Sequence, residues 1–323
     1  MAEQSKTVSR EEELSKLSRM STFRSFLPLI GLIVVFVVFN ILTGGRMVKN
    51  MSLVMSQVYV TMIASTGVFF IMTMGGLDFS QGSILGIASI VVCAVSKQVG
   101  NIPLAVVAGV AVGALIGAIN GFFYVNRKIK SFIVTICTMF LFRGIIKYLT
   151  SNSPVQGSTQ LMLMNTDRLK LICTLIVIVI GFVTFNFTKF GVYLRAIGAG
   201  EKAAKFAGIR TNRMKFLIYI LSGAITGFAA FVNSVKVGSV TATGGSQLET
   251  QILIALVLGG MPISGGAKSR FMNVIIGSLL YIVLSSGLSM LGLTTQTMQL
   301  IQGVVFLIFV AIFADRQSLQ VIK

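Results

Sequence analysis

Apolar blocks and short polar stretches alternate along almost the whole of this chain. Most blocks are long enough to cross a bilayer as helix, which takes about 20 residues. They place spans at 26–42, 53–74, 83–97, 102–125, 131–150, 169–187, 214–235, 248–260, 271–290 and 297–314, ten in all. The third and eighth are short for a full crossing, so tilted, broken or re-entrant helices are expected near 75–97 and 248–266. The pattern predicts an all-α polytopic membrane protein.

Composition agrees. Of 323 residues, 54% are hydrophobic and 11% charged, too little polar surface for a soluble domain. One membrane domain, 26–314, fills the chain and leaves no room for a soluble catalytic domain. Short tails are expected at 1–25 and 315–323. No cleavable leader is evident, and Ser9 with Glu12 either caps a short tail helix or lies in a solvated tail.

Charge then sets the orientation. With the N-terminus inside and alternating spans, the inside segments and Lys215 at the membrane edge hold 19 of the 27 basic residues. That bias predicts both termini in the cytoplasm and a large cytoplasmic loop at 188–213. The net charge of +18 does not indicate nucleic acid, because the basic residues are scattered over connections instead of gathered on one segment. Cys93, Cys137 and Cys173 all fall inside apolar blocks and read as small buried side chains, with no disulfide or metal framework.

Three stretches carry candidate chemistry. In the fourth span Gly109, Gly113, Gly117 and Gly121 share one helix face, where a neighbouring helix can approach closely. Asn120 beside them is either a polar contact in that seam or part of a path. The stretch GGLDFSQG at 75–82 sets Asp78 and Ser80 between apolar spans. A carboxylate there must be hydrogen-bonded, paired or wet. Two readings stand together: Asp78 caps the following helix, or broken backbone lines a cavity. GGMPISGG at 259–266 repeats the glycine and serine spacing, as an internal repeat would.

The third stretch is GEKAAKFAG at 200–208, set among seven basic residues between Lys189 and Lys215. Its central residues are good helix formers, and Gly208 suits a left-handed stop. Ala203, Ala204 and Ala207 would form a small-residue face for a partner's groove, and Glu201 favours the helix dipole. The chain has no histidine and no phosphate-binding loop, so ATP hydrolysis is not expected of it. GAGEKA at 198–203 follows a membrane span instead of a strand and is not a dinucleotide site.

The series E-x-A-A-x-x-x-G at 201–208 resembles the coupling segment of permease subunits in bacterial ATP-binding-cassette importers. GGLDFSQGS, NGFFYVNRKIKSFIVTICTMFLFRG (120–144), YLRAIGAGEKAAKFAGI (193–209) and LETQILIALVLGGMPISGG (248–266) follow in order. Together they resemble the ribose/xylose/autoinducer-type sugar permease family. The chain departs from that pattern at Lys130 and Ser131, Cys137, Gly200 and Met261-Pro262-Ile263, which bears on the solute and on pairing.

The resemblance implies a multi-pass permease in a bacterial cell membrane. It implies a cytoplasmic ATP-binding subunit, an extracytoplasmic solute-binding protein and a second permease copy, identical or related. ATP would be bound by the partner, and this chain would hold no cofactor. Coupling falls to Glu201, Lys202, Ala203, Ala204 and Gly208; the path falls to Asp78, Ser80, Asn120 and Thr135. The cargo would be a small sugar or related polar solute. A branched-chain amino acid or nucleoside importer, or a stand-alone carrier or channel, are the alternatives.

Overall fold

A computed structural model of the chain describes residues 26–262, 264–266 and 268–313. The tails at 1–25 and 315–323, with Ser9 and Glu12, lie outside the described residues. Each apolar block forms a helix: α1 (Phe26–Leu42), then α3 (Met51–Thr73), α4 (Gln81–Val99), α5 (Ile102–Asn126), α6 (Ser131–Leu149), α8 (Asp167–Phe187), α11 (Thr211–Val237), α12 (Leu248–Leu258), α13 (Met272–Met290) and α14 (Thr295–Phe313). Seven of these, α3, α4, α5, α6, α8, α11 and α13, are long and apolar enough to cross a membrane, and α1, α12 and α14 are apolar as well.

Shorter pieces join them: α2 (Arg46–Lys49), α7 (Thr159–Leu163), α9 (Lys189–Ala199) and α10 (Glu201–Phe206). Strands β1 (Val155–Gln156) and β2 (Ser239–Val240) pair antiparallel, Val155 opposite Val240. The α9 helix and the strand pair were not foreseen from the sequence. The strand pair lies at one end of the bundle and α9–α10 at the other.

The third span is longer than its apolar block. Gln81, Gly82 and Ser83 are polar or small, yet they form the first turn of α4, which reaches 19 residues. It is therefore not a short helix; the irregular backbone lies before it. The eighth span is short as expected, with 11 residues in α12.

Helix α3 is the centre of the bundle. Every residue from Val58 to Thr73 is buried, so this helix has no lipid-facing stripe and no amphipathic pattern. Near its end Phe69 meets Phe185 and Phe271 edge-on, with ring centroids 4.7 Å and 5.5 Å apart. By contrast α6 turns Phe140, Leu141 and Tyr148 outward, and Cys137 with them. Only Cys93 and Cys173 are buried, which corrects the expectation for Cys137.

Helices α5 and α11 run antiparallel in close contact. A Cβ on Gly113 would collide with the Gly223 carbonyl, and one on Gly223 with the Gly113 carbonyl. Along the same seam Gly109 faces Gly227, Gly117 faces Tyr219 and Gly121 faces Phe216. With no side chains between them the two backbones pack directly, which brings Asn120 and the polar face of α11 to the same depth.

Candidate functional site

The first irregular stretch starts where α3 ends. Gly75, at φ +83°, reverses the chain. Its N–H donates to Met72 O at 2.9 Å and the Gly76 N–H donates to Ile71 O at 3.0 Å, which closes the helix end. Residues 76–80 are not helical. Within a membrane their backbone donors need partners, and side chains of α6 supply them. The Leu77 N–H donates to Ser131 Oγ at 3.2 Å and the Phe79 N–H to Thr135 Oγ1 at 3.1 Å. Ser131 and Thr135 are four apart and so lie on one helix face.

Asp78 closes the stretch on its other side. One carboxylate oxygen accepts from the Ser80 N–H at 2.8 Å and from Ser80 Oγ at 2.6 Å; the other accepts from Gln81 Nε2 at 2.6 Å. Gln81 in turn donates to Ser222 Oγ at 3.1 Å and accepts from Thr226 on α11. Asn120 donates to Ser80 Oγ at 2.8 Å. Asp78 is 1% exposed and its partners Ser80, Gln81 and Asn120 are fully buried. The carboxylate thus braces the residue before α4. The cap position, Ser80, makes no side-chain bond to the first turn, so Asp78 does not cap the helix in the expected way.

The structure brings Asp78, Ser80, Asn120 and Thr135 into one network. Sequence reasoning missed Gln81, Ser131, Ser222 and Thr226, which complete it. Gln81 lies in the same motif as Asp78. Ser222 and Thr226 flank the small Gly223 and Gly227 that meet α5, a spacing that signals a tight polar seam.

A second irregular stretch follows β2 and runs from 241 to 247 into α12. It meets the first one. A Cβ on Gly82 would strike Gly245 O and Glu249, and one on Gly245 would strike Gly82 O. Because Gln81 bonds near the middle of α11, this meeting lies deep in the bundle. Arg143 of α6 holds the second stretch. Its guanidinium donates to Gly244 O at 2.9 Å, Gly245 O at 2.9 Å, Ser246 Oγ at 3.0 Å and both Glu249 oxygens at 3.3 Å. Arg143 and Glu249 stand 106 residues apart, so no local pattern could have paired them.

Beside the meeting point lies a cavity of about 550 Å³. Leu77 and Phe79 of the first stretch line it, with Gln247, Thr250 and Gln251 of the second, Tyr281 of α13 and Gln299 and Gln302 of α14. Met72, Ile254, Val257 and Phe306 add apolar wall. No charged side chain lines it. Among the described residues, the amides of Gln247, Gln251, Gln299 and Gln302 have no hydrogen-bond partner, and Gln302 is only 8% exposed. Asp78, Ser80, Asn120 and Thr135 do not line this cavity; they hold the backbone that carries Leu77 and Phe79.

At the far end of the bundle, α10 closes on Gly208 at φ +83°, with the Gly208 N–H donating to Lys205 O and the Ile209 N–H to Ala204 O, both at 3.1 Å. Ala204 is buried against the protein's own core, while Ala203 and Ala207 are exposed and Phe206 is 93% exposed. This corrects the expectation of one outward alanine face: Ala204 seats the helix and Phe206 projects from it. Glu201 pairs with Lys215 of α11, whose ammonium lies 4.9 Å from the centre of the Tyr124 ring. Lys202 is exposed. Gly198 of α9 packs on the Thr73 carbonyl, and the Gly266 N–H donates to that same carbonyl at 2.9 Å. The two glycine-rich loops at 75–76 and 264–266 therefore meet α9 at the end of α3.

A bundle of membrane-spanning helices, with paired backbone breaks meeting deep inside it beside an uncharged cavity, has the make-up of a permease. Residues 50–310 match the family described as branched-chain amino acid transport system / permease component, and the chain belongs to that family. It is 28% identical over 284 residues to the ribose import permease protein of Escherichia coli, covering 84% of this chain and 87% of that one. It is 30% identical over 277 residues to the ribose import permease protein of Bacillus subtilis, covering 83% and 85%. It is 30% identical over 290 residues to the fructose import permease protein of Rhizobium meliloti, covering 84% and 80%. No solved structure matches the chain.

Proposed function

We propose that the chain is the membrane subunit of an ATP-driven importer in a bacterial inner membrane, and that the cavity beside the two breaks is its path for a neutral sugar. The observation that carries this reading is the lining: four unpartnered amides over aromatic and aliphatic walls, with no charge. Each amide offers two donors and an acceptor, which suits hydroxyl groups, and aromatic and aliphatic walls suit the C–H faces of a sugar ring. A zwitterionic amino acid would bring two charges to a site with nothing to pair them. The relatives named above import ribose and fructose.

In this reading Asp78, Ser80, Asn120 and Thr135 frame the path, and the helix carrying Glu201, Lys202, Ala203, Phe206 and Gly208 meets a cytoplasmic ATP-binding subunit. Ala204 anchors that helix to the permease, and Glu201–Lys215 ties it to α11, which carries Ser222 and Thr226 of the break network. The end bearing α10 is then cytoplasmic, and a solute-binding protein delivers at the end bearing the strand pair. A second permease copy stands beside the first.

The test is uptake by vesicles containing the permease with its ATP-binding subunit and binding protein. ATP-dependent accumulation of labelled D-ribose, D-fructose or D-galactose, with no accumulation of L-leucine, is the expected result. Leucine uptake without sugar uptake would replace the sugar with an amino acid. Phe206→Asp should abolish co-purification of the ATP-binding subunit; full retention would remove α10 from the contact.

A further inference from the structure

Gln247 is one of only two described residues other than glycine with a positive φ, at +67°. The left-handed region disfavours a glutamine, and glycine is the residue that adopts it without cost. Glycine is at hand in this very loop, at Gly244 and Gly245, yet the left-handed turn into α12 is made by a glutamine. A side chain kept where the backbone prefers none points to a use for that side chain. Its amide lines the cavity and has no partner among the described residues. Gln302 of α14, buried and likewise unpartnered, lines the same cavity.

Arg143 explains how the conformation is held. It does not line the cavity. All its hydrogen bonds fall on the residues either side of Gln247: the carbonyls of Gly244 and Gly245, the hydroxyl of Ser246 and the carboxylate of Glu249. A planar guanidinium with several donors in fixed geometry pins these groups together, which a lysine could not do. The loop between them has one face on Arg143 and the other on the cavity.

We propose that Gln247 is a solute-selecting side chain of the permeation path and that Arg143 is its positioning residue, acting through the 244–249 segment. The proposal rests on the reading of the cavity as the path.

Two measurements test it. The first does not depend on the solute. Gln247→Cys is placed in a chain whose Cys93, Cys137 and Cys173 are replaced by alanine, and the assembled complex in membrane vesicles is treated with a small water-soluble thiol reagent. The cysteine should react, and adding Arg143→Met should change its rate about tenfold, while Gln299→Cys on α14 keeps its rate. An unreactive cysteine, or a rate indifferent to Arg143, would overturn the proposal. The second is uptake of labelled D-ribose, D-fructose and D-galactose. Gln247→Gly removes the side chain and suits the backbone, so the protein should accumulate normally while the uptake rates shift relative to one another by about fivefold, the worth of one hydrogen bond of about 1 kcal/mol. Gln247→Asn, which tolerates this backbone and keeps an amide, should restore part of the wild-type preference. Sugar uptake with unchanged preference in Gln247→Gly would sink this inference alone. If the wild-type complex takes up none of the three sugars, the sugar reading fails, and the labelling result still decides whether Arg143 positions Gln247.

Discussion

Residues 76–80 and residues 241–247 both carry irregular backbone deep in the bundle, and they are held differently. The first stretch is sealed by side chains from its own motif, α5, α6 and α11, each giving one to three bonds within a largely buried network. The second is held on one side by a single long side chain, Arg143, and opens on its other side to the cavity. Broken backbone in a membrane must be satisfied either way. A distributed network suits a fixed frame, because no member can move without orphaning another. A single clamp leaves the opposite face free for side chains that meet a solute.

That contrast fixes the order of expected effects. Asp78→Ala should be the most damaging change, since it strips three hydrogen bonds and leaves the two Ser80 donors and one of the two Gln81 amide hydrogens buried without acceptors. A loss of about 3 kcal/mol or more is expected, seen as poor accumulation and a lower unfolding temperature in detergent. Asp78→Asn keeps an acceptor for Ser80 but cannot satisfy Gln81, and should fall between Ala and wild type. If Asp78→Ala melted like wild type, the first stretch would not be a closed frame.

Arg143→Met comes next. It leaves Glu249 and two carbonyls without their donor, but the Glu249 side chain keeps 11% exposure. About 2 kcal/mol is expected, below the cost of orphaning a fully buried charge. A double change with Glu249→Gln should recover part of that loss, which a thermal unfolding series would show. No recovery would mean that Arg143 serves the loop carbonyls alone.

Gly113→Leu tests the seam beneath the first stretch. Overpacking costs about 1–3 kcal/mol and pushes α5 from α11. It should disturb the Asn120 and Gln81 bonds while leaving thiol labelling at position 247 unchanged. Gln247→Gly should be the mildest, within about 0.5 kcal/mol of wild type, because relief of the left-handed backbone and the added freedom of glycine oppose each other.

Much of the architecture was legible because a membrane imposes it. Helix length follows from bilayer thickness, so all ten apolar blocks could be placed. The first break was legible from Gly75, Gly76 and Asp78, since glycines and a carboxylate between apolar runs have few other uses. The rest was not, for physical reasons. Gln81 lies in the polar motif and Thr226 in an apolar stretch 145 residues away, and only helix packing shows that they touch. The cavity amides come in two pairs, Gln247 and Gln251 at the start of α12 and Gln299 and Gln302 on α14, and nothing local in the sequence brings the two pairs to one cavity. The start of α4 was misplaced because hydropathy excluded Gln81 and Gly82, although both are buried in the first turn of the helix. The direction of Ala204 depends on how α10 rests on its neighbours, which helix propensity does not contain.

The most direct test of the cavity as the path is to fill it. Thr250 lines it and is exposed, so Thr250→Trp adds bulk there without entering the core. In vesicles carrying the complete importer, this variant should lose ATP-driven sugar uptake while the ATP-binding subunit stays bound and still hydrolyses ATP. Uptake at the wild-type rate through a cavity plugged by tryptophan would contradict the account.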